Sequence, residues 1–517
     1  MNKLGTLLWV DDEIEMLHAH ILFLQSKGYQ VDTVTNGTDA IEACRKNVYD
    51  LVLLDENMIG LSGLQTLNRL KDADPNLPVV MVTKSEEEDI MEQAIGSRIA
   101  DYLIKPVNPN QILLTLKKNL HRRNIENNVT TENYRENFMS LGMQIDSANT
   151  WSDWIDVYRQ LTRWELDLDI SAKDMLKGQK ESASNSFSRF IRKNYLNWMS
   201  DTDGDRPIMN NDIFKKFVFP LLDDGQRVYL IVLDNFRYDQ WREINPLLTD
   251  FYISKETLYY SILPTATHYA RNALFSGLMP AQIKKMFPQY WLDECDDDGK
   301  NLYEEDLIRT LFERYRRQCR FTYRKLNDAS DIEHYTQQLP SIRQNNLNVT
   351  VVNSIDIMSH SRTDSKMMRE LVADESSYRG ITRSWFEHSP ILELFRQLAQ
   401  EPDSTILITT DHGSLQVNRA IKIAADRNTS SNLRYKCGKS LGFGSKDVFC
   451  ISNPEQAGLP DQGIATQYIF ATGTDYFVYQ NNFNTFAGFY KDSFQHGGIS
   501  MEEMIIPLIT LTTKNRL

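Results

Sequence analysis

Three aspartates and three histidines punctuate residues 234–496 of this 517-residue chain in an order that suits metal chemistry. Asp234 closes the apolar run VYLIVLDNF, and Asp356 and His360 form a D-x-x-x-H pair in SIDIMSH. Asp411 and His412 follow TILITT, and His496 sits in FQHGGISMEE. Carboxylates and imidazoles in these numbers suffice to hold two divalent ions. Thr267, in LPTATHYARNALFSG, adds a hydroxyl. A hydroxyl beside two cations is equipment for phosphoryl transfer through an activated threonine. Thr265 is the rival hydroxyl; its alternative role is to satisfy the turn, and Thr267 is the preferred nucleophile.

The elements around these residues explain how they would meet. Val228–Leu233, Val349–Val352 and Ile406–Thr409 read as buried strands, each leading into a ligand. Helical patterns such as Leu302–Arg317 and Ile391–Gln400 separate them. The pattern predicts an α/β sheet with ligands at the strand ends. Thr267 would begin a helix that Ser276-Gly277 ends, and a helix N-terminus offers N–H groups and a positive dipole to a phosphate. Arg271, one turn further on, either reaches a phosphate oxygen or makes an ion pair on the helix surface.

A second constellation opens the chain. The run 4–10, LGTLLWV, ends in Asp11-Asp12, and 51–54, LVLL, ends in Asp55. Val79–Val82 ends in Thr83, and Tyr102–Ile104 ends in Lys105-Pro106. Amphipathic stretches such as Asp39–Lys46 and Gly63–Leu70 alternate with these runs, which predicts a doubly wound parallel sheet. Three carboxylates meeting at one sheet edge would repel, and a Mg²⁺ ion resolves the repulsion. Asp55 is then a nucleophile for a phosphoryl group, with Lys105 balancing the charge and Thr83 hydrogen-bonded to a phosphate oxygen.

Between the two lies a segment, 123–205, in which the alternation stops. WSDWIDVYRQLTRWEL places Trp151, Trp154, Ile155, Tyr158, Leu161 and Leu168 at helical spacing. FSRFIRKNYLNWM does the same with Phe187, Phe190, Ile191 and Leu196. A helical connector bundle is expected; its tryptophans and mixed charge do not suit a DNA-recognition helix. DTDGDRP at 201–207 reads as the closing linker.

Composition bounds the function. A net charge of −13 argues against tight non-specific DNA binding, although a local basic groove is compatible with it. Seven bases lie between Arg309 and Lys325 against one acid, Glu313. They read as the solvated face of an amphipathic helix, with nucleic-acid phosphates as the alternative contact. The acidic run around Glu294, Asp296 and Asp298 is a poor calcium loop. Five cysteines, without a C-x-x-C pair, read as reduced thiols in a cytoplasm. No signal peptide or membrane span is read.

On its ordered set Asp11, Asp12, Asp55, Thr83 and Lys105 before Pro106, the segment 1–122 resembles the receiver domains of two-component response regulators. The resemblance implies a sensor histidine kinase as partner and Asp55 as phosphoacceptor. It makes Tyr102 the aromatic that turns inward with Thr83, and the backbone carbonyl of Asn57 a Mg²⁺ ligand. Two departures stand out: Ile59-Gly60 follows Met58 where Pro is usual, and Lys84 replaces a small residue.

On Asp234, the P-T-x-T run at Thr267, D-x-x-x-H, D-H-G and H-G-G at 496–498, the segment 206–517 resembles the PglZ branch of the alkaline phosphatase superfamily. The whole layout is similar to PorX-type response regulators, a family linked to type IX secretion. The resemblance assigns Asp234, Thr267, Asp411 and His412 to one ion and Asp356, His360 and His496 to the other. Zinc suits such ligands. It implies a phosphothreonine intermediate at Thr267, and a phosphodiesterase acting on oligonucleotides or cyclic oligonucleotides. Threonine rather than Cys or Ser at 267 disfavours a sulfatase. Phosphorylation-dependent homodimerisation is expected. The competing expectation is a regulator with a structural metal site that acts by touching a sigma factor or secretion component.

Overall fold

The computed structural model describes residues 5–47, 49–74, 77–83, 99–168, 170–200, 204–293, 299–401, 403–425, 429–444, 448–463 and 465–514. Lys84, the start of the expected linker at 201–203, and the acidic run with Cys295 lie outside the described residues. The chain forms two compact units, Met1–Arg135 and Glu136–Leu517.

The first unit is built on strands β1 (Gly5–Val10), β2 (Tyr29–Val34), β3 (Leu51–Asp55), β4 (Val79–Thr83) and β5 (Asp101–Ile104). They form one parallel sheet in the order β2-β1-β3-β4-β5. Side chains of a strand alternate between faces. Leu7 and Trp9 accordingly pack with Leu53, Val80, Val82, Ile112 and Leu116 on one side. Leu8 and Val10 pack with Leu54, Leu67, Leu70 and Met81 on the other. Both faces are covered at the centre of the sheet, which is why β1, β3 and β4 read as near-continuous apolar runs, while the edge strands β2 and β5 carry polar residues. Burying each leucine contributes about 1.5–3 kcal/mol. The helix Gly63–Ala73 is fixed at its start by a capping box between Ser62 and Gln65.

The second unit begins with the helices Trp151–Asp167 and Ile170–Ser200. Trp154, Ile155, Tyr158, Leu161 and Trp164 are buried along the first. On the second the buried stripe runs from Phe187, Phe190 and Ile191 through Tyr195 and Trp198, not through Leu196 as expected. Tyr195 explains the shift: its hydroxyl accepts from the Leu263 N–H at 2.8 Å, beside the loop that leads to Thr267. Trp151 stays partly exposed and donates its ring N–H to Asp205 at 2.7 Å.

The main sheet has six strands: β6 (Arg227–Leu233), β7 (Tyr252–Tyr260), β8 (Phe321–Leu326), β9 (Leu347–Val352), β10 (Ser404–Thr409) and β18 (Ile505–Thr513). Their order is β7-β18-β10-β6-β9-β8. β10, β6, β9 and β8 run parallel, and β18 runs antiparallel between β10 and β7. Between β10 and β18 lie short strands β11 (Leu415–Gln416), β12 (Arg419–Ile423), β13 (Tyr435–Gly438), β14 (Val448–Ile451), β15 (Gln467–Ala471), β16 (Asp475–Tyr479) and β17 (Phe494–Gln495). This insertion delivers His496 just after β17. Among the described residues, no helix is long and apolar enough to cross a membrane.

The helix expected over Leu302–Arg317 is shorter, Glu304–Arg314, and Arg316 has a left-handed φ of 52°. Its basic residues therefore do not share one helical face. Arg309 pairs with Glu305, Arg317 with Asp223 and Lys325 with Glu304, while Arg314 donates to the Ser276 carbonyl.

Candidate metal centre and receiver site

Asp234 and Asp411 stand one residue and two residues past the ends of the adjacent parallel strands β6 and β10. Their second oxygens are already held. Asp234 Oδ2 accepts from Arg271 Nη1 at 2.7 Å. Asp411 Oδ1 accepts from the backbone N–H groups of His412 at 3.0 Å and Asn235 at 3.4 Å. That leaves Asp234 Oδ1 and Asp411 Oδ2 buried with no hydrogen-bond partner among the described residues. These two oxygens lie 3.9 and 3.8 Å from His412 Nε2. His412 Nδ1 faces the Gly413 carbonyl at 3.2 Å, which leaves Nε2 as the lone-pair nitrogen. The spacing is slightly wider than the edge of about 3.3 Å expected for tetrahedral bonds of about 2.0 Å.

A second cluster adjoins the first. Asp356 and His360 occupy one face of the helix Ser354–Asp364, four residues apart, and His496 approaches from the insertion. Asp356 Oδ1 lies 3.4 Å from His360 Nε2 and 3.9 Å from His496 Nε2. His496 Nδ1 faces the Thr265 carbonyl at 3.2 Å, so its Nε2 also faces the cluster as a lone-pair nitrogen. His496 is buried, whereas the His360 side chain is half-exposed, so the centre opens to solvent on that side.

The titration of the Asp234 and Asp411 group fits a cation, whereas at Asp356 the neighbouring His360 and His496 outweigh burial and hold the carboxyl well below its usual range. Burial pushes the Asp234 carboxyl up to about 8, with Asp411 and Asp356 adding to the push against the Arg271 charge. Burial also raises Asp411. It lowers His412, and it lowers His496 to about 3. Crowded carboxylates that resist ionising alone, beside neutral imidazoles, are relieved by a divalent ion. The two groups of three fit one cation each, divided as the resemblance implies.

Thr267 is the first residue of the helix Thr267–Ser276, which carries no side-chain cap. Its Oγ1 lies 3.0 Å from His412 Nε2. Thr265 is placed differently. Its hydroxyl donates to the Gly498 carbonyl and accepts from the Gly497 N–H, both at 3.0 Å. Thr265 thereby fastens the H-G-G loop that presents His496.

Arg271 corrects the helix-surface reading of the sequence. It is buried rather than on a helix surface, and its donors face the protein's own acids. Nε reaches Glu304 at 2.7 Å and Nη1 reaches Asp234 at 2.7 Å. Glu304 is fully buried and also meets Lys325 and Tyr323. Arg271 therefore orients the Asp234 carboxylate, one of the candidate metal ligands. Sequence alone does not reveal Glu304 or Asn235 as partners; an Asn directly after a strand-end Asp is the one available signal for the latter.

In the first unit Asp11, Asp12 and Asp55 bring carboxylate oxygens within 4.8 Å of one another at the ends of β1 and β3. Lys105 Nζ lies 2.8 Å from Asp11 and 3.1 Å from Asp55. Burial raises the Asp55 carboxyl, Lys105 opposes this, and Asp11 and Asp12 add to the rise. Thr83 is buried at the end of β4. Tyr102 is half-buried on β5, and Asn57 is exposed just past β3. Glu56, not singled out from sequence, is buried and accepts from the Leu64 N–H at 2.9 Å.

Comparison with known proteins bears on each part. The chain matches the family models of the response regulator receiver domain over 7–117, the PorX response regulator linker domain over 124–199, and the BREX system PglZ alkaline phosphatase-like domain over 213–511. Among curated proteins it is similar to the transcriptional regulatory protein ZraR of Klebsiella oxytoca, 36% identical over 138 residues, 26% of this chain. It is also similar to ResD of Bacillus subtilis, 28% identical over 164 residues, covering 31% of this chain and 68% of that protein. The chain spans 31% of the length of the first and 27% of that of the Escherichia coli ZraR protein. A solved CheY-like receiver domain from Methanospirillum hungatei is 23% identical over 23% of this chain and 94% of its own, with a TM-score of 0.22. With a receiver, a PorX linker and a phosphatase-like output domain in that order, the chain belongs to the PglZ family as a PorX-type two-component response regulator.

Proposed function

We propose that this response regulator comprises a receiver domain (1–122), a helical connector (123–205) and an output domain (206–517) that is a zinc-dependent phosphodiesterase. The observation that carries the proposal is the pair of candidate ligand clusters, with the Thr267 hydroxyl 3.0 Å from His412 of one of them. Zinc suits three-ligand sites of carboxylate and imidazole. Two bound zinc ions would neutralise phosphate charge and favour the ionised threonine. Thr267 Oγ forms a bond to phosphorus while the phosphorus–oxygen bond to the leaving group breaks. The departing oxygen keeps the electron pair and takes a proton. Water oxygen then bonds to phosphorus, the Oγ–phosphorus bond breaks, and Thr267 regains its proton. The uncapped start of the Thr267 helix supports a phosphate oxygen during both steps.

Oligonucleotides or cyclic oligonucleotides are the proposed substrates. This rests on the PglZ relationship, because internal pairs engage much of the basic segment 309–325. A sensor histidine kinase phosphorylates Asp55 with Mg²⁺ held by Asp11, Asp12, Asp55 and the Asn57 carbonyl. Thr83, Tyr102 and Lys105 transmit the change, and the phosphorylated chain forms a homodimer. The PorX-type layout supports a cytoplasmic role in type IX secretion control, with a sigma factor or secretion component downstream. The test is elemental analysis of the pure protein alongside hydrolysis of bis-p-nitrophenyl phosphate and short oligonucleotides. Two zinc ions per chain and diester cleavage are expected; metal-free protein with full activity would refute the proposal.

A further inference from the structure

One buried residue touches both ligand sets, one through its side chain and the other through its backbone. Asn235 follows Asp234 at the end of β6 and has no solvent exposure. Its amide Nδ2 donates to Asp356 Oδ1 and to Ser359 Oγ, each at 3.1 Å. Ser359 Oγ itself donates to the Asp356 carbonyl at 2.8 Å, so it meets Asn235 as an acceptor. The backbone N–H of Asn235 faces Asp411 Oδ1 at 3.4 Å. Asp356 belongs to one cluster, Asp411 to the other.

The backbone supports a special role. Asn235 has a φ of 61°, in the left-handed region that costs most side chains energy and that Asn tolerates best after Gly. A buried residue held in that conformation between carboxylates points to a site function. Packing alone would be met by a residue without an amide.

We propose that Asn235 is a positioning residue that links the two cation sites: its amide fixes Asp356 for one ion from a backbone position tied to the ligands of the other. The inference rests on the two-zinc reading above. Asp356 Oδ1 is the oxygen that also faces His360 and His496, so the Asn235 hydrogen bond sets its direction between them. A donor to a charged carboxylate makes a strong hydrogen bond. Removing such an outer partner of a metal ligand typically lowers affinity about 10–100-fold.

The experiment is a zinc titration of the full chain by calorimetry against a competing chelator. Asn235→Gly keeps the left-handed backbone available and removes only the amide. His496→Ala marks which binding step belongs to the Asp356 site. Asn235→Gly is expected to weaken that step about 10–100-fold and to leave the other within about twofold. The untouched step doubles as the control for folding. Ser359→Ala, which removes only the second anchor of the amide, should weaken the same step by less. Two wild-type-like steps in Asn235→Gly, or equal weakening of both, would overturn the inference while leaving the two-zinc reading standing. A wild type with fewer than two zinc steps would remove that reading and this inference together.

Discussion

The imidazoles of His412 and His496 stack face to face, with centroids 4.2 Å apart and planes inclined by 16°, although they belong to different ligand clusters. Two protonated rings at this distance would repel. Burial keeps both below their ordinary pKa, and each turns Nδ1 to a backbone carbonyl and Nε2 to the centre. The stack therefore turns two lone-pair nitrogens to two adjoining clusters that could each hold a cation. His496→Ala or His360→Ala should remove one zinc and leave the ion held by Asp234, Asp411 and His412. Both variants keeping two ions per chain by elemental analysis would show that the assignment is wrong.

The two threonines separate by what their hydroxyls touch. Thr267→Ala should retain both zinc ions, because Asp234, Asp411 and His412 remain, yet lose diester hydrolysis by about 10⁴-fold or more. Thr265→Ala should keep the nucleophile but leave the Gly497 N–H and the Gly498 carbonyl without their partner. That costs about 1–3 kcal/mol, and it should loosen His496 and weaken one zinc step. Thr265→Ser should restore both. Activity and zinc binding measured on the three variants decide this: an active Thr267→Ala beside a dead Thr265→Ala would exchange the roles.

Much of the centre is legible in the sequence because each strand-borne ligand follows a buried apolar run, and sheet topology sends those ends to one edge. What does not follow from local pattern is decided by contacts distant in the chain. Arg271 reads as a surface arginine until Glu304, 33 residues on, folds against it. Tyr195 replaces Leu196 in the buried stripe because a loop amide 68 residues away needs its hydroxyl. β7 and β18 escape notice, since β18 gains its place only by pairing antiparallel with both β10 and β7.

Asp55 should be the phosphoacceptor. It sits at the end of β3 within reach of Lys105, with Asp11 and Asp12 able to share a Mg²⁺ ion. Incubation with a small phosphodonor and Mg²⁺ should label the wild type and not Asp55→Ala; equal labelling would place the phosphate elsewhere. Sedimentation with and without a phosphate mimic should reveal a heavier, dimeric species only with it, and an unchanged mass would speak against phosphorylation-driven assembly.

The buried ion network around Asp239 should govern acid stability. Asp239 meets Arg237 at 2.5 Å and Arg379 at 3.1 Å, and Arg379 also meets Glu165 of the connector at 2.8 Å. Burial alone would raise the Asp239 carboxyl; Arg237 and Arg379 overcome this and hold it well below the usual carboxylate range. A depressed folded pKa means the stabilisation is fully present above the unfolded value, about 3.9. It is then lost as pH falls through the lower folded value. Asp239→Asn removes the charge shared by two buried guanidinium groups, which keep Glu375 and Glu165, so at pH 7 it should destabilise the second unit by about 1–3 kcal/mol. Below about pH 4 the gap should narrow progressively, because the unfolded wild type then takes up a proton at Asp239 that the folded wild type does not, while the variant has nothing to protonate there. Thermal unfolding of both proteins from pH 7 down to 2.5 checks this, and parallel curves across that range would mean that Asp239 does not carry the acid sensitivity.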